Sequence, residues 1–265
     1  MYAYFIVNRQ INPTNVCTYQ CDFCAFNKLI ALITFSFAFL AFILEALFAL
    51  SEIVKEFEKR YKHKVLVSYG ASGHFYIQIK NGAPYDIFIS ANELYPKKLM
   101  AEGKALKSTY TVFSRGKLVI FTLKDIELKN YKILLSPEVE KIAIANPKYA
   151  PYGKAAVEFL KKTGIYGEVL PKLVYGSNVS QAFQYVVSGG ADIGVVALSL
   201  VIPYGKGKFI MVDKSLYPEI KNIAIITQNG KEKEASEQFI EFLKSKFAAD
   251  ILQKYGFEIS SNLHN

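Results

Sequence analysis

After Cys24 this chain has no cysteine: its three cysteines, Cys17, Cys21 and Cys24, crowd the amino-terminal end of a 265-residue sequence. The remainder therefore holds together without disulfides, and its stability rests on the core that a chain of this length can bury. Histidine is scarce as well. His63, His74 and His264 lack the spacing of a metal-ligand set, and no serine, histidine and acid arrangement emerges around them, so the main body carries no enzyme signature. Long charged blocks are also missing. The 32 lysines and arginines outnumber the 23 acids to leave a net charge of +9. They are scattered in pairs such as Lys97-Lys98 and Lys161-Lys162, with no arginine-rich arm. Such a pattern is a solvated surface rather than a nucleic-acid-binding face, and its long-range effect is a weak attraction for anions. Against these absences stands an apolar content of 51% with 14% aromatics, the composition of a folded molecule.

The most informative stretch is Leu66–Ala91. An apolar run at Val65–Val67 leads into Ser68-Tyr69-Gly70-Ala71-Ser72-Gly73, then an amphipathic segment reaching Ile79 and Lys80. Asn81-Gly82-Ala83-Pro84 follows, and Ile87–Ser90 is a second apolar run. The order is strand, loop, helix, loop, strand. Glycines on both sides of Ala71-Ser72 let the backbone turn tightly. The helix after them aims its unpaired N–H groups and positive dipole end at the loop, which makes a seat for an anion.

Two further stretches repeat the device. Lys141–Ala145 reads as a strand running into Asn146-Pro147-Lys148-Tyr149-Ala150-Pro151-Tyr152-Gly153, with a helix continuing through Lys154–Thr163. Leu173–Gly176 reads as a strand, Ser177-Asn178 as a cap, and Val179–Ser188 as a helix. Around these, Ser51–Lys62 reads as an amphipathic helix, Ala191–Leu200 as a buried strand with its turn, and Glu232–Lys254 as one long closing helix. Tyr110–Leu123, rich in β-branched and aromatic residues around Arg115-Gly116-Lys117, reads as two strands and the crossing between lobes. Residues 49–109 with 214–265 make the first lobe and 110–213 the second. Strands alternating with helices imply an α/β fold with a mostly parallel sheet in each lobe.

The amino-terminal end follows a different logic. Cys17-x3-Cys21-x2-Cys24 spaces three thiolates to hold three corners of a four-iron cluster, a 4Fe-4S site with one iron open. The run from Asn8-Arg9-Gln10-Ile11-Asn12-Pro13-Thr14-Asn15-Val16-Cys17 through Ala25-Phe26 resembles the start of radical S-adenosylmethionine enzymes of the menaquinone and deazaflavin branches. That resemblance covers residues 1–27 only, and nothing downstream resembles the barrel of those enzymes. Residues 28–48 come next, with Lys28 ahead of the largely apolar run Leu29–Leu44. A basic residue before such a run is the pattern of a secretory signal, with a membrane anchor through residues 29–50 and a buried core element as alternatives.

From Leu50 to Phe257 the chain resembles the periplasmic molybdate-binding protein of ABC transporters. The motifs are Gly70-Ala71-Ser72-Gly73 with Gln78-Ile79, the phrase from Gly82-Ala83-Pro84-Tyr85 through Asp86-Ile87-Phe88-Ile89-Ser90-Ala91, and Asn146-Pro147 with Ala150-Pro151-Tyr152-Gly153-Lys154-Ala155. Asn178-Val179-x-Gln181-Ala182 and Tyr255-Gly256-Phe257 complete the set. The resemblance implies a two-lobed type II periplasmic-binding-protein fold, a monomer outside the inner membrane, and a permease as partner. It also implies molybdate or tungstate as ligand, with no cofactor required. Carried over by position, Ser72 gives its hydroxyl and N–H, Tyr152 a backbone N–H and Val179 a backbone N–H. Two positions depart from the family. Where it has a first strand ending in a ligand serine, this chain reads Leu44-Glu45-Ala46-Leu47-Phe48, so that strand is either missing or drawn from Phe37–Leu44. Ala197 stands where some members place a ligand tyrosine.

Overall fold

Leu50, Ile53, Val54 and Phe57 recur at helical spacing, and all four are buried along one face of helix α1, Phe37–Tyr61. The computed structural model to which this helix belongs describes residues 3–8, 37–70 and 72–259. Helix α1 begins well before the amphipathic segment at Ser51, so Phe37–Leu44 is helical and supplies no strand. Among the described residues, no helix is long and apolar enough to cross a membrane. The buried face of α1 packs on α8 (Glu234–Leu243), with the Phe57 ring 4.9 Å from Phe239 and 5.6 Å from Phe242.

Two sheets form the frame. The first has six strands in the order β11-β4-β10-β3-β1-β2, where β1 is Ala3–Asn8, β2 Val65–Gly70, β3 Ile87–Ser90, β4 Thr111–Gly116, β10 Ile220–Ile226 and β11 Glu258–Ile259. Helices α2 (Ser72–Lys80) and α3 (Leu94–Ala101) flank this sheet on the side of Phe75, Phe88 and Leu99, and α1, α8 and α9 (Lys246–Lys254) cover its other face. The second sheet has five strands in the order β7-β6-β8-β5-β9, with β5 Leu118–Thr122, β6 Ile142–Ala145, β7 Leu173–Gly176, β8 Ile193–Ala197 and β9 Lys208–Met211. Its core is built with α4 (Pro151–Lys162), the short α5 (Tyr166–Val169), α6 (Val179–Val187) and α7 (Leu198–Tyr204).

Two layers of helix on sheet are the expected α/β architecture, but strand directions are more mixed than simple alternation implies. Every pairing in the first sheet is antiparallel, and the second combines the parallel pairs β6–β7 and β6–β8 with the antiparallel β5–β8 and β5–β9. One reason is β4 and β10, which carry the chain between the sheets and so run against their neighbours. The other is β1. It lies between β2 and β3 and opposes both, Ala3 matching Gly70 on one side and Ser90 on the other. Ala3–Asn8 thus fills the place between β2 and β3 in the first sheet. The closing helix is also interrupted, into α8 and α9, because the Ser245 side chain caps a new helix by accepting the Ala248 N–H at 3.2 Å.

The lobes are joined where β4 runs through Lys117 into β5, and where residues 212–219 lead from β9 to β10. Leu118 donates its N–H to the Tyr217 hydroxyl at 3.2 Å, and Arg115 pairs with Glu219 at 3.0 Å, so the two crossings brace each other. Gly116 sits against the Tyr152 hydroxyl so closely that a β-carbon there would collide with it.

Candidate functional site

A cavity of about 100 Å³ lies between the two sheets and draws its walls from both. From the second lobe come Pro151 and Tyr152 at the start of α4, Asn178, Val179 and Ser180 at the start of α6, and Ala197 with Ser199. Ser114 of β4 and Asn222 of β10 lie at the crossing, and Ile89 and Ala91 come from the end of β3. The remaining wall is apolar, with Ala49, Leu50 and Ile53 of α1 beside Leu252 and Phe257. No charged side chain is among the described residues lining it.

The donors arise from helix starts. In α4, Pro151 has no N–H and Lys154 already donates to the Ala150 carbonyl at 3.1 Å, which leaves Tyr152 and Gly153 to meet an incoming acceptor. Gly153 is required there because a β-carbon would drive into the Ala145 carbonyl that ends β6. In α6 the cap is reciprocal. Asn178 Oδ1 accepts the Gln181 N–H at 2.9 Å, and Gln181 Oε1 accepts the Ser177 N–H at 2.6 Å. Ala182 donates to the Asn178 carbonyl at 3.1 Å, so the N–H groups of Val179 and Ser180 are the ones left for a ligand. Two aligned helix ends facing one cavity favour negative charge without placing a cation in it.

The side chains around these donors are neutral and mutually bonded. Tyr152 is buried, and that burial pushes its phenol well above the ordinary tyrosine range, although a hydrogen bond from Ser199 works the other way. It therefore stays a hydroxyl at any physiological pH. Asn222 Nδ2 donates to Ser114 Oγ at 2.9 Å across the crossing strands. Tyr152 and Val179 thus both line the cavity, as does Ala197, which caps α7 without a side-chain donor.

Ser72 is placed differently. It is the first residue of α2, is fully buried, and does not line the cavity; its hydroxyl lies 3.1 Å from that of Ser90, at the end of β3. Ala91, the next residue, does line the cavity. Glu45 lies on α1 one turn before Ala49. Cys17, Cys21 and Cys24, the proposed cluster ligands, lie outside the described residues, and among the described residues no group of histidines, cysteines and acids could hold a metal. Ser90, Ser114, Ser199 and Asn222 were not singled out from the sequence. Only Ser90 carried a signal, as the last polar position of the phrase ending in Ala91.

The bacterial extracellular solute-binding protein family matches residues 46–258 of the chain. The molybdate-binding protein ModA of Rhodobacter capsulatus is 39% identical over 206 residues, which span 78% of this chain and 82% of that protein. ModA of Azotobacter vinelandii is 38% identical over 212 residues, spanning 78% of this chain and 84% of its own. Among solved structures, the Azotobacter vinelandii periplasmic molybdate-binding protein superposes with a TM-score of 0.73 at 34% identity, covering 81% of this chain and 96% of that one. The matched region takes in the second sheet, the first sheet except β1 and the last residue of β11, and every described residue that lines the cavity, whereas β1 and the cysteine-bearing segment fall outside it. With its two-lobed type II binding-protein fold, the chain belongs to the bacterial extracellular solute-binding proteins.

Proposed function

We propose that this protein is the substrate-binding receptor of an ABC importer, which captures molybdate, and tungstate with it, between its lobes and delivers it to a membrane permease. It works as a monomer outside the inner membrane, with the two lobes, parted at Lys117 rather than at Tyr110 because β4 pairs within the first sheet, closing over the ion by hinge motion at Lys117 and 212–219. The observation that carries the reading is the cavity itself: free N–H groups at the starts of α4 and α6 converge on a space that, among the described residues, is lined by no charged side chain. A tetrahedral dianion that already lacks protons needs donors only, and neutral donors of fixed spacing select by size without holding the ion too tightly to release. Tyr152 and Val179 supply backbone N–H groups, and Ser72 its hydroxyl and N–H. The relatives named for molybdate binding support the choice of ion.

Titration calorimetry of the full chain with molybdate, tungstate and sulfate tests this. Heat and a thermal shift with molybdate and tungstate, and none with sulfate, are expected; binding of sulfate without molybdate would reassign the ligand. Loading of the Cys17, Cys21 and Cys24 segment with a 4Fe-4S cluster is a separate matter. Anaerobic reconstitution with iron and sulfide, followed by absorbance, decides it independently of the calorimetry.

A further inference from the structure

The cavity between the lobes has two unlike faces. Its second-lobe wall carries the N–H groups left at the starts of α4 and α6. Its first-lobe wall is of another kind: apart from Ser114 and Asn222, which are bonded to each other, every described first-lobe side chain on it is apolar. Leu50, Ile53, Ile89, Phe113, Leu252 and Phe257 are all buried and belong to the core of that lobe, so close packing fixes the surface they present. Ser72, the hydroxyl expected from this side, does not line the cavity. A bare oxyanion seated on the donors therefore turns oxygens toward a face that offers carbon, where an acceptor taken out of water without a partner is costly. An anion with a charged head and a carbon tail meets both faces at once.

We propose that the site also takes short-chain monocarboxylates, with the carboxylate at the starts of α4 and α6 and the alkyl group against Leu50, Ile53, Leu252 and Phe257. The inference rests on the cavity of the proposed function and on its donors, not on the choice of molybdate. The head suits the seat. A carboxylate is ionised at neutral pH and then only accepts hydrogen bonds, and no described side chain on the wall is an acid that would repel it. The tail suits the opposite face, since each methylene laid on it leaves water and raises the affinity about fourfold. The space sets the length. An apolar cavity of about 150 Å³ admits benzene, so one of about 100 Å³ has room for about four to six heavy atoms, which is the span from acetate to butyrate.

The test is calorimetry of the full chain at neutral pH with acetate, propionate, butyrate and hexanoate, alone and in saturating molybdate. Affinity is expected to rise about fourfold per methylene from acetate to butyrate and to fall again by hexanoate, and molybdate is expected to displace each acid. Phe257→Leu, which shortens the wall, is expected to move the optimum to a longer acid; Ile53→Val, a smaller deletion, replaces it should that variant fail to fold. Molybdate binding with no carboxylate binding, or with an affinity that ignores chain length, would overturn the inference and leave the molybdate reading standing. Carboxylate binding with the expected length dependence and no molybdate binding would overturn the molybdate reading and leave the inference standing, provided the wall variant shifts the optimum. An optimum that neither wall variant moves would place the tail elsewhere and overturn the inference.

Discussion

Glu93 draws three partners to one carboxylate. Lys97 donates to it at 2.9 Å, Lys221 at 3.0 Å and the Tyr110 hydroxyl at 3.2 Å, so the start of α3 is tied to β10 and to the entry of β4. The hydrogen bond from Lys97, joined by Lys221 and opposed by partial burial, brings the Glu93 carboxyl down to about 2, while burial first and the Glu93 charge second push Tyr110 up to about 12. A carboxylate whose folded value lies below its unfolded value of about 4.3 stabilises the fold above that unfolded value, and the contribution fades as pH falls toward the folded one. Stability is therefore expected to decline between about pH 5 and pH 2. Glu93→Gln should remove on the order of 1 kcal/mol of that slope, the figure being kept small because solvent screens a group this exposed. Denaturant unfolding of both proteins across that range measures it, and parallel curves would show that Glu93 contributes nothing. At this scale the sequence revealed backbone donors better than side-chain partners. Pro151, Gly153 and Asn178 announce helix starts locally, so the positions of Tyr152 and Val179 could be read from their neighbours. The partnership of Asn222 with Ser114 spans 108 residues, and that of Ser90 with Ser72 spans 18, so neither has a local signature.

Among the elements, β1 matters most. Its six residues pair along the whole of β2 and along β3, and β2 has no other strand beside it among the described residues. Without β1, two facing rows of backbone N–H and C=O groups would lose their partners, at about 0.5–1.5 kcal/mol net for each bond. Summed along the strand, that loss approaches the whole stability of an ordinary domain. A chain lacking residues 1–8 is therefore expected to lose hydrogen-exchange protection at Val65–Gly70 and Ile87–Ser90, while the β6 and β8 amides stay protected. Equal protection at β2 in both chains would show that β1 is dispensable. The sequence did not disclose this strand because the cysteine motif that follows it pointed to other chemistry. Elsewhere the elements were legible where period and punctuation agreed, as in α2, β3, α4 and α6. Boundaries failed where a pattern continued past its break: the apolar run into α1 hid a helix that starts at Phe37, and Ser245 divides what reads as a single closing helix. Helix α7 was folded into a strand reading because Ile193–Val201 is buried throughout, and burial on every side erases period.

For the molecule as a whole, the distribution of charge separates steering from holding. The net charge of +9 is spread over the surface, where lysines and arginines pair with acids such as Glu56, Glu102 and Asp125, while the described residues lining the cavity between the lobes are neutral. Exposed charges act over about 8 Å at physiological salt and speed the approach of an anion only modestly. In the proposed function, holding falls to backbone N–H groups and hydroxyls, groups that do not titrate near neutrality. Among the described residues on the cavity wall the one ionisable group, Tyr152, is kept protonated by its burial. His63 is bonded to Gln238 of α8 at 2.8 Å and does not line the cavity. The affinity for molybdate is accordingly expected to change by less than about twofold between pH 6 and pH 9, because no linked proton is taken up or released on the protein side. Calorimetry in buffers of different ionisation enthalpy checks the same point, since binding without proton transfer gives the same heat in each. A sigmoidal loss of affinity centred near neutrality would place a histidine or a perturbed acid at the ion and displace the neutral cage as the basis of recognition.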